Sequence, residues 1–195
     1  MQLLSILSKL NTDAPTPPVA AVNELVEWIS TGKLSENELG SCWHLTSQLL
    51  KKYPNHTQVL KPLVLEFMGV CITHHSIRLG PILWKEFLKF ASSDWQGNED
   101  LESRIKVLVQ LTKEGRDVTG IQDEIGAVLV SWLQEIVLDC SQLSSSMLLL
   151  AFITNIFKFS RLHLNTENVV QLLALTCKIL EKKTDDQIIS AALQL

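Results

Sequence analysis

The chain has 195 residues, of which 46% are hydrophobic and 19% are charged. This composition predicts a folded chain and excludes a disordered one, which would be poorer in apolar residues and richer in net charge. A formal net charge of −4, a pI near 5.7 and the lack of a basic stripe argue against a general nucleic-acid binder.

The first predicted element is a short apolar helix, followed by a linker rich in proline. The N-terminus has no basic region and no small-residue cleavage site, so it does not look like a secretory signal. Pro15, Pro17 and Pro18 forbid a continuous helix between Thr12 and Pro18. We therefore divide the chain into residues 1–18, an N-terminal helix with a Pro-rich linker, and residues 19–195, the main helical region.

From residue 19 onward, almost every segment has the apolar periodicity of an α-helix, and strand-like alternation does not persist. Short polar side chains that accept a backbone N–H mark the helix starts. They are predicted as capping boxes at Ser35, Thr119 and Thr184, and as N-caps at Asn98 and Asn165.

Glycine and proline supply further boundary signals. Gly32 and Gly115 stand where a helix would end in a left-handed residue. Pro62 and Pro81 fall near helix starts, where a first-turn proline is tolerated because its missing N–H has no intrahelical partner.

The spacing of these signals predicts a repeat. Candidate helices begin near residues 2, 19, 35, 57, 77, 98, 120, 143, 165 and 185. Two helices therefore recur about every 40–45 residues, which is the period of HEAT and armadillo repeats. Short connections make successive helices antiparallel neighbours. We predict an all-α fold, a right-handed α-solenoid of HEAT/armadillo-like antiparallel helix pairs, with a compact helical bundle as the alternative.

The C-terminal sequence gives one more expectation. Residues 188–195 stop inside an apolar helical pattern, without the polar capping helix that ends a solenoid. This favours a fragment of a longer protein. The longest apolar run, Met147 to Ile153, is far shorter than the roughly 20 residues that a membrane span needs, so we predict no transmembrane segment.

No combination of residues in the sequence predicts catalysis or a cofactor. A nucleophile elbow and a phosphate-binding glycine loop are both absent. Cys42, His44, His74 and His75 could be imagined as metal ligands, but they sit in predicted helices rather than on loops, and Cys42 and His44, two residues apart on a helix, point in different directions. We predict no metal, no cofactor and no enzyme activity, and we interpret Cys42, Cys71, Cys140 and Cys177 as reduced core thiols of a cytosolic protein.

Five tryptophans are candidates for core or contact positions. Trp28, Trp43, Trp84 and Trp132 lie on apolar stripes and are predicted to pack in the core. Trp95 differs because it stands in a polar linker, where an aromatic side chain is a candidate partner contact. Packing of Trp95 over a helix end is the alternative interpretation.

The central stretch resembles the N-terminal region of the tuberin family. The resemblance is carried by Asn98-Glu99-Asp100-Leu101, Arg104, Leu111-Thr112, Gly115-Arg116, Thr119 and Glu124. It continues into Trp132 and into Ile156-Phe157-Lys158-Phe159, weakens upstream to Trp43 and the pattern from Trp84 to Phe90, and spans roughly residues 20–195.

The resemblance implies a function in assembly. Tuberin-like proteins are GTPase-activating proteins for the small GTPase Rheb and restrain growth signalling through the TOR kinase, with a catalytic domain at the far C-terminus. Their N-terminal solenoid binds the coiled coil of hamartin in the tuberous sclerosis complex. The implied protein is cytoplasmic, with recruitment to the lysosomal surface as part of the complex. The alternative is a HEAT-repeat adaptor of a transport or trafficking complex.

Arg104 and Arg116 belong to the segment of strongest resemblance and are candidate contacts to an acidic partner surface. Arg104 is expected on the polar side of its helix. The alternative is an intramolecular pair with Glu99 or Asp100, or a bond to helix-end carbonyls. Under the partner-contact hypothesis, Arg104→Ala weakens hamartin binding more than it lowers the melting temperature.

Overall fold

The computed structural model describes residues 2–32, 34–75, 79–92, 100–113, 143–160 and 165–182, together with Asp186 and Ser190. Within these ranges every regular element is helical and no strand occurs, which confirms the all-α prediction. The helices are α1 (Gln2–Leu10), α2 (Val19–Thr31), α3 (Glu36–Lys52), α4 (Thr57–His75), α5 (Pro81–Ser92), α6 (Leu101–Thr112), α7 (Leu143–Ser160) and α8 (Thr166–Lys182), with a short 3₁₀ helix at Pro54–His56.

The chain forms two compact units, Met1–Phe87 and Leu88–Leu195. In the first unit, α1 packs against α2 and α3, and α4 packs against both α2 and α3. In the second unit, α6 packs against α7. The linker from Asn11 to Pro18 contains no helix.

An aromatic cluster lies at the centre of the first unit. The Trp43 ring meets Phe87 edge-on at a centroid distance of 4.8 Å and stacks on Phe67 at 6.2 Å. Ile6 and Leu10 of α1 are buried as well. Burying apolar area in this way is the main favourable term in folding, so α1 is part of this core.

The local start signals at α3 and α5 behave as predicted. Ser35 forms a capping box, in which the backbone N–H of Glu38 donates to Ser35 Oγ at 3.4 Å and the Ser35 N–H donates to Glu38 Oε2 at 2.8 Å. Pro81 is the first residue of α5. Asn165 directly precedes α8, which begins at Thr166.

Two boundary predictions are wrong. Gly32 ends α2, but with extended backbone angles, φ −90° and ψ 158°, rather than in the left-handed region. Pro62 lies inside α4 and not in its first turn, because α4 already begins at Thr57. The buried neighbours Leu60 and Val64 hold this stretch in helical register, so packing offsets the backbone bond that the proline cannot make.

The start of α6 also differs from the prediction. Its N-cap is Asp100, which adopts a left-handed conformation with φ 55° and ψ 20°. Asp100 O accepts the N–H of Arg104 at 2.9 Å and closes the first turn. The predicted N-cap Asn98 lies outside the described residues, as do the predicted signals at Thr119, Thr184 and Gly115.

Candidate functional site

The first unit carries an open groove between the first half of α3 and the first turns of α5. The groove has a volume of about 640 Å³, within the range of roughly 300–1,000 Å³ that binding pockets occupy. Its lining residues are Glu36, Asn37, Gly40, Ser41, Trp43, His44, Leu45, Ile82, Leu83 and Glu86. We call this feature the α3–α5 groove.

Helical periodicity decides which side chains of α3 face the groove. Leu39, Cys42 and Thr46 are turned into the core, whereas Ser41 and His44 are exposed along the groove side. A 3.6-residue period separates the two faces in this way. The groove wall on α3 is therefore polar, although the helix behind it is apolar.

The wall on α5 combines an exposed aliphatic side chain with a carboxylate. Ile82 is 76% exposed, while its neighbour Leu83 is buried. One turn further along, Glu86 accepts a hydrogen bond from Trp43 Nε1. Because the Trp43 ring is fixed by Phe67 and Phe87, this bond fixes the carboxylate of Glu86 at the rim of the groove.

A second carboxylate lies at the N-terminal end of α5. Glu36 packs so closely on the backbone of Gly80 that any Cβ at position 80 would collide with the Glu36 carboxylate. A carboxylate is favoured there because the first turn of a helix has unsatisfied N–H groups and a partial positive charge. Among the described lining residues Glu36 and Glu86 are the two carboxylates, and no lysine or arginine accompanies them, so this part of the groove is acidic.

Gly40 leaves part of the groove floor open. A Cβ built at Gly40 would have no atom within 4 Å, so packing does not require a glycine there. A glycine inside a helix costs about 1 kcal/mol relative to alanine. Glycine also allows another backbone to approach closely, which makes this position a candidate point of contact.

Of the three predicted contact residues, Arg104 is the one that the structure describes, and it does not line this groove. Trp95 and Arg116 are outside the described residues. Arg104, on α6, is 2% exposed, and its Nε donates to Ala91 O at 3.0 Å. The expectation that Arg104 lies on the polar side of its helix is therefore wrong. Instead, Arg104 binds a helix-end carbonyl, as the alternative interpretation proposed.

Two further buried or half-buried side chains bind helix-end carbonyls in the same manner. His75 is 5% exposed and its Nε2 lies 2.8 Å from Ile29 O in the last turn of α2. Asn155 Nδ2 on α7 donates to Val109 O in the last turn of α6 at 3.3 Å. Since a carbonyl only accepts, His75 Nε2 carries the hydrogen. The sequence analysis did not predict this structural role of His75, although Cys71 and Ile72, one turn earlier, are apolar and buried.

The described thiols differ in environment. Cys42 and Cys71 are buried, as predicted, but Cys177 is exposed, which contradicts a core position for that residue. Burial, with a smaller contribution from the charge of Glu38, raises the pKa of the Cys42 thiol to about 12. Burial also raises the pKa of Cys71. Neither thiol is therefore an activated nucleophile at neutral pH. Cys140 is outside the described residues.

The described residues bear on three further predictions, which concern metals, membranes and tryptophans. In this part of the chain no group of three potential His, Cys, Asp or Glu ligands comes together. None of the described helices is long and apolar enough to span a membrane. Trp43 and Trp84 are buried, as predicted, and Trp28 is half-buried. Trp132 lies outside the described residues.

Comparison with known proteins gives a family but no structural relative. No solved structure matches the chain. The family model described as Domain of unknown function (DUF3384) matches residues 17–195, which is most of the chain and includes everything from the end of the Pro-rich linker onward. The chain belongs to the DUF3384 family.

Proposed function

We propose that this chain is a non-catalytic scaffold region, built as a right-handed α-solenoid of HEAT-like antiparallel helix pairs, whose work is to bind another protein. The proposal names the partner through the tuberin-like stretch between Asn98 and Glu124: the coiled coil of hamartin. Rheb would be reached only through a GTPase-activating domain outside this sequence. The complex would be cytoplasmic, recruited to the lysosomal surface, and would restrain TOR signalling.

The observation that carries the solenoid is a recurring sequence separation between side chains in contact. His75 and Ile29 are 46 residues apart, as are Asn155 and Val109. The Trp43–Glu86 bond spans 43 residues and the bond from Tyr53 to Ala14 spans 39. HEAT and armadillo repeats have periods of about 40–47 residues, so three of these four separations lie within that range and the fourth is just below it.

A repeat array explains this regularity. Each element of a solenoid lies beside the equivalent element of the next repeat, so contacts recur at one period. A compact bundle with mixed connections has no reason to favour one separation. The recurrence is found within the first unit and again within the second, which supports one repeating plan for both.

The described site residues favour binding over catalysis. The α3–α5 groove is open, its wall carries an exposed isoleucine, and the two buried thiols have raised pKa values. Recognition of a helix in a groove between helices suits a coiled-coil partner. Trp95 and Arg116 remain the proposed contact residues for hamartin, whereas Arg104 is assigned a structural role by its burial.

Size-exclusion chromatography with light scattering tests the proposal directly. The chain is run alone, and then with a hamartin coiled-coil fragment. We expect one peak with the summed mass of both components, and two independent peaks would contradict hamartin binding. Arg116→Ala should weaken the complex, and Lys178→Ala, at an exposed position of α8, is the matched control that removes one positive charge elsewhere.

A further inference from the structure

We infer that the α3–α5 groove receives a cationic amphipathic helix from a partner protein, with an aliphatic side chain against Ile82 and arginine or lysine side chains against the carboxylates of Glu36 and Glu86. This inference rests on the proposed protein-binding function and adds the place of binding and the chemistry of the partner. It concerns only residues of the first unit.

Charge complementarity selects the sign of the partner. Glu36 and Glu86 supply negative charge to the groove, and among the described residues neither lysine nor arginine lines it. Glu86 is held in place by the indole of Trp43, and the Glu36 carboxylate lies close against Gly80. A fixed carboxylate forms a strong charge-assisted hydrogen bond with a guanidinium or ammonium group, whereas an acidic peptide would be repelled.

The apolar component of the site is at the start of α5. Ile82 is 76% exposed and stands directly beside buried Leu83. A partner side chain laid over Ile82 would extend the apolar packing that Leu83 begins. Apolar side chains next to fixed charges are the pattern that an amphipathic helix matches, because one of its faces carries both kinds of residue at i, i+3 and i+4.

The backbone of the groove decides between a helical and an extended partner. Both walls are α-helices, which offer no strand edge to which an extended peptide could add main-chain hydrogen bonds. A helix satisfies its own backbone and needs only a surface it can approach. Gly40, with open space where a side chain would be, lets such a helix come close to α3.

The binding test uses two synthetic peptides of about 16 residues, a length at which a helix is marginally stable in water. The first carries leucine and arginine along one face, and the second has each arginine replaced by glutamate. Fluorescence anisotropy with the full chain should show binding of the arginine peptide, at least about tenfold tighter than the glutamate peptide and weakened by salt.

Variants of the chain then locate the binding. Gly40→Leu fills the open floor and should weaken the arginine peptide about tenfold without lowering the melting temperature, because leucine is a better helix former than glycine. Glu36→Gln and Ile82→Ser should weaken binding as well. Glu66→Gln and Val59→Ser, which likewise neutralise a carboxylate and remove a β-branched aliphatic side chain at exposed positions of α4, should leave binding unchanged.

The outcomes separate this inference from the proposed function. Equal binding of the two peptides, or undiminished binding to Gly40→Leu, would overturn the groove assignment even if the hamartin fragment co-elutes with the chain. Binding of the arginine peptide that is lost in Gly40→Leu would support the groove even if the hamartin fragment elutes separately, in which case the named partner and not the site is wrong.

Discussion

The two units of the chain satisfy helix-end carbonyls with different side chains. In the first unit the donor is the imidazole of His75, which reaches Ile29 O in the last turn of α2. In the second unit it is the guanidinium of Arg104, which reaches Ala91 O in the last turn of α5. Both side chains are buried, at 5% and 2% exposure.

The helix end explains why such different groups serve the same purpose. The last four carbonyls of a helix have no intrahelical donor, and the helix dipole gives them a partial negative charge. A buried carbonyl without a donor is unfavourable, and a cation near a helix C-terminus is favourable. Arg104 of α6 can therefore be buried against the C-terminal end of α5, although a buried charge is normally avoided.

The comparison predicts that Arg104 is the more costly side chain to lose. Arg104→Ala leaves Ala91 O without its donor and opens a cavity, so we expect the free energy of unfolding to fall by about 3–4 kcal/mol. Urea denaturation measures this change. Arg104→Lys keeps the charge and part of the volume, and should lose about half as much.

This expectation reverses the one drawn from the sequence, in which Arg104→Ala weakens partner binding more than it lowers the melting temperature. A variant that unfolds at the wild-type urea concentration but fails to bind hamartin would restore the partner-contact role. It would also show that the bond to Ala91 O contributes little to the second unit.

Removing the His75 bond is expected to cause the second-largest loss of unfolding free energy. His75→Ala removes a smaller donor group and its packing, so the loss of unfolding free energy should be about 2–3 kcal/mol. The adjacent His74 is exposed, and His74→Ala is the matched control, expected within about 0.5 kcal/mol of wild type. Equal losses for the two histidines would contradict the structural role of His75.

The sequence predicted what is decided locally. The Ser35 capping box and Pro81 at the first position of α5 depend on residues within one turn, so the local sequence alone identifies them. The all-α class follows from periodicity in the same way. Pro62 shows the limit, because its place inside α4 depends on packing that a local proline rule does not see.

The groove and the helix-end bonds could not be predicted because they join distant residues. Trp43 was recognised as a core residue, but its partner Glu86 is 43 residues further along the chain. Arg104 has polar neighbours in sequence, and only the approach of α6 to the end of α5 makes its surroundings buried. A single sequence carries no signal for such contacts beyond the repeat period itself.

The smallest loss of unfolding free energy is expected for a bond whose acceptor carbonyl does not belong to a helix. Tyr53 Oη donates to Ala14 O at 3.0 Å, which ties the Pro-rich linker to the first unit. Ala14 is half-buried and belongs to no helix, so water can replace the lost donor. Tyr53→Phe, which keeps the ring, should therefore lower the free energy of unfolding by only about 0.5–1 kcal/mol in urea denaturation.

The same variant sharpens the comparison of helix-end bonds. If the cost of losing a donor is set by the burial and helix-end position of the carbonyl, the order must be Arg104, His75, Tyr53. A loss for Tyr53→Phe as large as that for His75→Ala would mean that the acceptor's place in a helix does not decide the cost. The bond between Tyr53 and the linker, whose acceptor Ala14 precedes the family match that begins at residue 17, would then contribute as much to stability as the bond from His75 to the end of α2.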